Sequence, residues 1–278
     1  QLMKTGADRI PFLIVESDML ERARLMCGIF ERESGENHFG QIVRSKDNLW
    51  LTISRSRRDF YLGQGIPADN IYPFPMSRSS IGFSFPEAVG NIERQLPESE
   101  WGESVRAIRG NVLAVGTNER DYETLAEAAR GLDVETHVIC DLRSRRQAKR
   151  EGLFWHDSMP MAQFVEAIRQ SLFVAIPLKP VEKNFGQMGA ALPMALGKAV
   201  VATETESLKE HVISGATGEL VPPTDPAALR VALEKMIGSP ELRKKYGIAA
   251  SALEKELSAI ARKSIADALG RIRSFHGM

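Results

Sequence analysis

The stretch "NFGQMGAALPMALGKAVVAT", residues 184–203, decides how this sequence is interpreted. It joins a glycine-rich turn, an alanine-rich segment of helical character and the run "AVVAT", which is typical of a buried strand. A turn that leads into a helix leaves backbone N–H groups that can face an anion or a sugar hydroxyl. The alternative is a tight turn whose alanines serve only close packing of a helix against a sheet.

Strand and helix patterns alternate around this stretch. The predicted strands are "LWLTIS" (49–54), "NIYPFPM" (70–76), "NVLAVG" (111–116), "VETHVIC" (134–140), "LFVAIPL" (172–178) and "AVVAT" (199–203). The predicted helices include "DMLERARLMCGIFERE" (18–33), "RSRRDFYLGQ" (55–64) with Ser54 or Ser56 as cap, "DYETLAEAARGL" (121–132) and "AQFVEAIRQS" (162–171). Such alternation indicates a parallel sheet with helices on its faces.

We therefore predict an α/β fold with two Rossmann-like parallel sheets and a helical carboxyl terminus. Residues 1–85 are expected to form a partial amino-terminal domain, and residues 86–109 a linker with proline, glycine and many charges. Residues 110–245 form the better-defined second domain, and residues 246–278 are expected to pack back across both. Because the chain begins with Gln1 and its first domain is short, we expect a fragment or a reduced domain.

Composition limits the partners. Lysine and arginine number 36, as do aspartate and glutamate, so no overall field attracts nucleic acid or anionic lipid. Cys27 and Cys140 are far apart, which favours a reducing compartment over a disulfide framework. The apolar run in "RIPFLIVES" (9–17) is too short for a membrane span. We expect a cytoplasmic protein that does not bind nucleic acid.

One local cluster of positive charge stands out between the second and third strands of the later domain. A solvated helix face and a peripheral contact with a membrane surface or anionic partner are both open interpretations. The cluster consists of Arg143, Arg145, Arg146, Lys149 and Arg150.

Two turns are equipped to bind a phosphate. In an open parallel sheet, ligands bind beyond the carboxyl ends of the strands. The turn "GTNERDYETL" places Gly116 at a strand end and Arg120 before a helix, where glycine admits a phosphate and arginine can bind two of its oxygens. The alternative is that Arg120 pairs with a nearby carboxylate. In the second turn, Gly186 and Gly189 flank Gln187, whose amide can face the same ligand.

Other candidates are isolated. His156 lies in "GLFWHDSMP" (152–160) and either contacts a ligand or makes an ordinary surface hydrogen bond. The histidines show no metal-like spacing with cysteines or carboxylates, so we predict no metal site.

In order along the chain, three segments resemble the donor-binding domain of GT-B glycosyltransferases, in particular the retaining group 1 enzymes of the family 4 type. They are "VLAVG…ER…ETLAEA", "AIPL…FGQ…MALGKAVVAT" and "KEHVISGATGELVPPTDPAALRVALEKMI", and they cover about residues 110–245. Upstream, "LWLTISRSRRDFYLGQGIPADNIYPFPM" is similar to the end of the family's amino-terminal domain. The resemblance implies a metal-independent hexosyltransferase that needs no cofactor beyond a UDP- or GDP-sugar donor. It also implies an acceptor that is a sugar, a lipid-linked sugar or a small molecule.

The resemblance also implies roles. Gly116 and Thr117 would lie against the donor diphosphate, and Arg120 would neutralise it. His156 would help to shape the nucleobase pocket. The turn from Glu182 to Gly189 would surround the sugar and the distal phosphate, with Glu182 as the candidate catalytic residue. The remaining donor-binding candidates in this turn are Lys183, Phe185, Gly186, Gln187 and Met188.

The sequence departs from the family pattern at one informative position. The family commonly has a ribose-binding glutamate that heads "E-A-M-A", and this chain has Leu192-Pro193-Met194-Ala195 there. An inactive homologue or fragment that binds a nucleotide or a protein is therefore the alternative to an enzyme.

Overall fold

The computed structural model describes residues 13–15, 48–84, 86–141, 151–180 and 185–275. Its strands are β1 (Leu13–Val15), β2 (Leu49–Thr52), β3 (Ile71–Pro73), β4 (Val112–Val115), β5 (Thr136–Ile139), β6 (Phe154–His156), β7 (Val174–Ile176), β8 (Val200–Thr203) and β9 (Gly218–Val221). Its helices are α1 (Arg55–Gly63), α2 (Arg78–Ser84), α3 (Pro86–Glu93), α4 (Glu103–Ile108), α5 (Tyr122–Ala129), α6 (Met161–Gln170), α7 (Gln187–Ala195), α8 (Pro226–Gly238) and α9 (Pro240–Phe275).

The chain divides into two compact units. The smaller unit is Gln1–Pro75 together with Ala259–Met278, and the larger is Met76–Ser258. In the smaller unit, β1, β2 and β3 form a parallel sheet in that order. Ser54 caps α1 by accepting a hydrogen bond from the backbone N–H of Arg57 at 3.3 Å, so the predicted strand, helix, strand unit is confirmed.

The larger unit is built on a six-stranded sheet of order β6-β5-β4-β7-β8-β9 in which every neighbouring pair is parallel. This confirms the predicted α/β fold class. The two outer strands, β6 and β9, are not among the strands predicted from the sequence. Both are partly exposed, so they lack the continuous apolar run that identified the inner strands.

Both faces of the larger sheet are covered. Along β4, Val112 and Ala114 belong to one buried cluster, whereas Leu113 and Val115 belong to the other. Side chains alternate between faces along a strand, so each face packs against its own layer of helices. Polar groups that act on a ligand are thereby confined to the ends of the strands and the turns that follow them.

Residues 86–109, which we predict to be a linker, contain α3, α4 and a short 3₁₀ turn, and they lie within the larger unit. Val105 and Ile108 are fully buried in its core. The buried carboxylate of Glu166 on α6 accepts a hydrogen bond from the backbone N–H of Leu96 at 3.2 Å. The linker is predicted because residues 86–109 are rich in proline, glycine and charge, which do not reveal this packing. The exact domain boundaries stay a prediction.

The first carboxyl-terminal helix begins with a side-chain cap and a proline. Asp225 caps α8 by accepting a hydrogen bond from the N–H of Ala228 at 2.9 Å, and Pro226 is the first helical residue. The residues of α9 up to Ser258 belong to the larger unit and those from Ala259 to the smaller. No helix in the described part of the chain is both long and apolar enough to cross a membrane. The predicted helix at residues 18–33 and the basic cluster at residues 143–150 lie outside the described residues.

Candidate functional site

The turn after β4 is shaped around glycine. Gly116 has φ of +113°, a conformation that side chains with a Cβ rarely adopt. A Cβ on Gly116 would lie 2.2 Å from Nη2 of Arg120, well inside van der Waals contact. The hydroxyl of Tyr122 donates a hydrogen bond to the Gly116 carbonyl and closes the turn. Glycine therefore gives the Arg120 guanidinium its place beside the strand end.

The backbone holds the Arg120 guanidinium in place. Its Nε donates to the carbonyl of Val115 at 2.9 Å, and Nη1 donates to the carbonyl of Asn118 at 2.8 Å. Burial lowers the pKa of this guanidinium, but arginine stays charged at neutral pH. Among the described residues, no carboxylate lies within ion-pair distance of Arg120. The alternative in which Arg120 pairs with a surface carboxylate therefore has no support in this part of the chain.

The helix that follows, α5, already carries a negative charge at its amino end. Asp121 is the N-cap, and its Oδ1 accepts from the N–H of Thr124 at 3.1 Å. Its Oδ2 accepts from the Thr124 hydroxyl at 2.7 Å. Since this carboxylate occupies the positive end of the helix, the anion-binding capacity of the first turn rests on Arg120 rather than on the helix terminus.

The second turn offers backbone instead of charge. Gly186 is the N-cap of α7 in the left-handed conformation, with φ of 89°, and it supplies no side-chain cap. A Cβ on Gly186 would lie 3.0 Å from Cδ1 of Leu178, so the turn fits tightly against the end of β7. The buried hydroxyl of Ser207 donates to the carbonyl of Phe185 at 3.1 Å and fixes the residue before the turn.

The structure brings these two turns together at Arg120. A Cβ on Gly189, in the first turn of α7, would lie 3.3 Å from Nη2 of Arg120 and 3.7 Å from Cγ2 of Val115. The guanidinium thus lies between the end of β4 and the amino end of α7. Of the other predicted residues in this turn, Gln187 is buried, Phe185 is half-buried and Met188 is exposed. Thr117 is half-buried in the first turn.

His156 belongs to a chain of polar groups that the sequence analysis missed. Its Nε2 lies 2.8 Å from Nδ1 of buried His137, whose Nε2 lies 3.0 Å from a carboxylate oxygen of Glu135. Burial lowers the pKa of His137, and the neighbouring Glu135 carboxylate opposes that shift. The spacing of Glu135 and His137 by two on a predicted strand, which puts both on one face, could have revealed the pair. His156 ends β6, two strands away from β4.

The position where the resemblance leads us to expect a ribose-binding glutamate is part of the core. Leu192 is 5% exposed and packs in the same cluster as Ala190, Ala191 and Met194. The helix α7 therefore turns this position away from solvent. Glu182 and Lys183, the candidate catalytic residue and its neighbour, lie outside the described residues. Within the described ranges, no group of three or more His, Cys, Asp or Glu side chains is arranged to hold a metal ion.

Comparisons with known proteins agree with this architecture. Residues 143–252 match the family model described as "Glycosyl transferases group 1". No curated protein is similar enough in sequence to match this chain.

Solved structures of glycosyltransferases share the fold. Sucrose-phosphate synthase from Thermosynechococcus elongatus is 18% identical with a TM-score of 0.61, over 84% of this chain and 60% of its own. Anabaena HepE in complex with UDP-glucose is 14% identical with a TM-score of 0.66, over 94% of this chain and 72% of its own. The trehalose 6-phosphate synthase of Burkholderia multivorans is 12% identical with a TM-score of 0.61, over 94% and 70%. These likenesses show the GT-B fold, and the chain spans less than three quarters of each of these proteins.

Proposed function

Since this chain has the GT-B fold and its residues 143–252 match the group 1 glycosyl transferases, we propose that it binds a UDP- or GDP-sugar and transfers the hexose to an acceptor. The proposed transfer retains the anomeric configuration and needs no metal ion or other cofactor. The structure of HepE in complex with UDP-glucose, a protein of the same fold, supports a nucleotide sugar as the donor.

The observation that carries the proposal is the position of the Arg120 charge. Negative charge builds on the leaving diphosphate as the glycosidic bond breaks, and a fixed cation in a half-buried site stabilises that charge strongly. Arg120 has no carboxylate partner among the described residues, and backbone carbonyls hold its guanidinium in place before any ligand binds. In this proposal, Gly116 and Thr117 lie against the diphosphate that Arg120 neutralises.

The second turn would receive the distal phosphate and the sugar. The amino end of α7 has no side-chain cap, so its N–H groups and its positive dipole end favour an anionic ligand. We assign five residues of the second turn to this part of the donor site: Phe185, Gly186, Gln187, Met188 and Gly189. From the family resemblance, Glu182 contacts the sugar hydroxyls as the candidate catalytic residue, Lys183 contacts phosphate, and His156 contributes to the nucleobase side.

A second candidate function has its own observation. Leu192 is buried in the core where the family has a ribose-binding glutamate, so the donor loses one anchor on its nucleotide. This favours an inactive homologue that binds a nucleotide or a protein partner without transferring a sugar. The two candidates share the phosphate end of the site and differ in catalysis.

A binding screen followed by an assay tests both candidates. We expect UDP or GDP, and their sugars, to raise the melting temperature of the protein, because a ligand that binds only the folded state stabilises it. At equal nucleotide concentration, Arg120→Ala should reduce this shift, whereas Arg130→Ala, which removes an exposed arginine after α5, should keep it. No stabilisation by any nucleotide would contradict both nucleotide-binding proposals. Stabilisation without hydrolysis or transfer would favour the inactive homologue.

The remaining assignments extend this proposal. The acceptor would be a sugar, a lipid-linked sugar or a small molecule, and the protein would be cytoplasmic. We also propose that the basic cluster at residues 143–150 makes peripheral contact with an anionic membrane. Retention of the protein by vesicles rich in phosphatidylglycerol, lost when Arg145 and Arg146 become glutamine, is the expected result.

A further inference from the structure

A cavity lies at the ends of the strands of the six-stranded sheet that are opposite to Arg120. Its volume is about 290 Å³, and its wall includes Leu172 and Ala199, which precede β7 and β8. It therefore opens at the amino ends of these strands, whereas the turns around Arg120 follow the carboxyl ends. Lys198, Arg243 and Lys244 line it, and no acidic residue does.

The charges in this wall are not neutralised within it. The half-buried ammonium of Lys198 donates a hydrogen bond to the carbonyl of Ser171 at 2.6 Å. Nη1 of Arg243 donates to the carbonyls of Met236 and Ile237 at 2.6 and 2.8 Å. All three acceptors are neutral carbonyls, which orient the cations without cancelling their charge.

The surroundings add more positive potential. Burial, and then the charges of Arg169 and Arg243, lower the pKa of Lys198 to about 8. The Glu166 carboxylate acts in the opposite direction, but it is already paired with Arg169 at 3.2 Å. The cations of the cavity therefore repel one another in the absence of a ligand.

The dipole of helix α9 further destabilises this cluster of positive charges. Arg243 and Lys244 are its fourth and fifth residues, near the helix end where the dipole is positive and basic side chains are unfavourable. Glu241 lies in the first turn of the helix but does not line the cavity. A bound anion would relieve the mutual repulsion and the dipole together.

We propose that this cavity is a binding site for a phosphate group, carried by a small soluble molecule or by a lipid headgroup. Phosphate oxygens accept charge-assisted hydrogen bonds from lysine and arginine. A volume of about 290 Å³ is near the lower end of ordinary ligand pockets, so it has room for a small group attached to the phosphate. The cavity is separate from the donor site, and this proposal does not depend on the function proposed for that site.

Chemical labelling of Lys198 tests the site locally. Intact protein would be treated with a limiting amount of an acetylating reagent in inorganic phosphate, or in chloride of equal ionic strength. Labelling at each lysine would be measured by mass spectrometry. Phosphate at about four times its dissociation constant should slow acetylation of Lys198 about fivefold, since only the unoccupied fraction reacts. Lys245, an exposed neighbour of Lys244 that does not line the cavity, serves as the internal control.

Variants separate this site from the donor site. Lys244→Gln should weaken the protection of Lys198, and Lys245→Gln should leave it unchanged. Arg120→Ala should also leave it unchanged, so failure of the donor-site proposal and failure of this one are distinguishable. Equal acetylation of Lys198 in phosphate and chloride, or equal slowing of Lys198 and Lys245, would overturn the proposal.

A vesicle arm identifies the source of the phosphate. Because the basic cluster at residues 143–150 is itself proposed to bind anionic vesicles, the informative comparison is between the parent and Lys198→Gln. Weaker retention of Lys198→Gln by phosphatidic acid vesicles, with phosphatidylcholine vesicles as the baseline, would identify a lipid headgroup as the ligand. Protection of Lys198 by glycerol 3-phosphate, with vesicle retention unchanged in Lys198→Gln, would support a soluble ligand.

Discussion

The two turns that meet at Arg120 differ in what each would offer to the proposed anionic ligand. The turn after β4 contributes a side-chain charge, which Gly116 makes room for and two backbone carbonyls orient. The turn before α7 contributes backbone alone, through the uncapped amino end that follows Gly186. The difference follows from what comes next in the chain: α5 is capped by its own Asp121, whereas α7 continues directly into the core.

One helix cannot easily face both the core and a ligand along its whole length. The first turn of α7 faces Arg120 through Gly189, but the next turn buries Ala190, Ala191 and Leu192. A glutamate for the ribose would have to leave this packed layer. In the proposed donor site, the charge at the phosphate end would therefore come from the other turn.

The largest expected effect comes from placing a glutamate at position 192 in α7. Leu192→Glu should lower the free energy of unfolding by about 3 kcal/mol or more, because it buries an unpaired carboxylate in an apolar cluster. Leu192→Met, which keeps volume and polarity, should cost less than about 1.5 kcal/mol. Urea denaturation of both variants measures the difference. A Leu192→Glu variant as stable as the parent would mean that α7 can turn this position to the ligand.

The next effect concerns the charged turn. Arg120→Ala should weaken binding of UDP or GDP by about tenfold to a hundredfold, because it removes charge-assisted hydrogen bonds to the diphosphate. Arg120→Lys keeps the charge but loses the planar fork, so an intermediate affinity is expected. Calorimetric titration would give the three affinities. Equal affinity in all three proteins would remove Arg120 from the site and leave α7 as the only anion-binding element of the pair.

Gly116→Ala probes how the charge is positioned. The new Cβ would meet the Arg120 guanidinium, and the positive φ would cost about 1–2 kcal/mol of stability. Gly131→Ala is a matched control, since Gly131 also has positive φ but nothing lies within 4 Å of the place that its Cβ would take. Gly116→Ala should lose at least as much stability as Gly131→Ala by urea denaturation, and Gly116→Ala alone should lose nucleotide affinity.

The smallest expected effect is a dependence of the free energy of unfolding on pH, caused by His211. His211 is fully buried, with Nε2 2.9 Å from the carbonyl of Met76 and Nδ1 3.2 Å from that of Ser207, and burial lowers its pKa. The imidazole of an unfolded chain titrates at about pH 6.5. Between that pH and the lower folded pKa, the unfolded state binds more protons, so stability falls on acidification.

Urea denaturation at several pH values between about pH 7 and pH 5 measures this slope. His137, whose pKa is also lowered by burial, contributes in the same direction. His211→Gln should therefore flatten the slope without removing it. A free energy of unfolding that rises on acidification, or an unchanged slope in His211→Gln, would show that protonation of His211 does not destabilise the fold.

Much of the fold was readable because its signals are local. The inner strands are continuous apolar runs, and the caps Ser54 and Asp225 lie where short side chains can accept from nearby N–H groups. The edge strand β6 and the helices of residues 86–109 could not be predicted from the sequence pattern. Their burial depends on partners distant in sequence, such as Glu166 for the N–H of Leu96.

The candidate site divides in the same way. Gly116, Arg120 and Gly186 stood out because glycine and arginine beside strand ends carry a local physical meaning. The contact between the two turns depends on the sheet order that places β4 beside β7, and the polar chain from Glu135 to His156 depends on β5 lying beside β6.

The α/β alternation, the family resemblance and the two turns follow from the amino-acid sequence alone, because periodicity, caps and glycines act over a few residues. The packed fold was needed to show that Arg120 lies between those turns with no carboxylate partner among the described residues, and that Leu192 belongs to the core. Those properties depend on which distant segments pack together. A pattern along the chain cannot specify the charge, distance and solvent exposure that such packing creates.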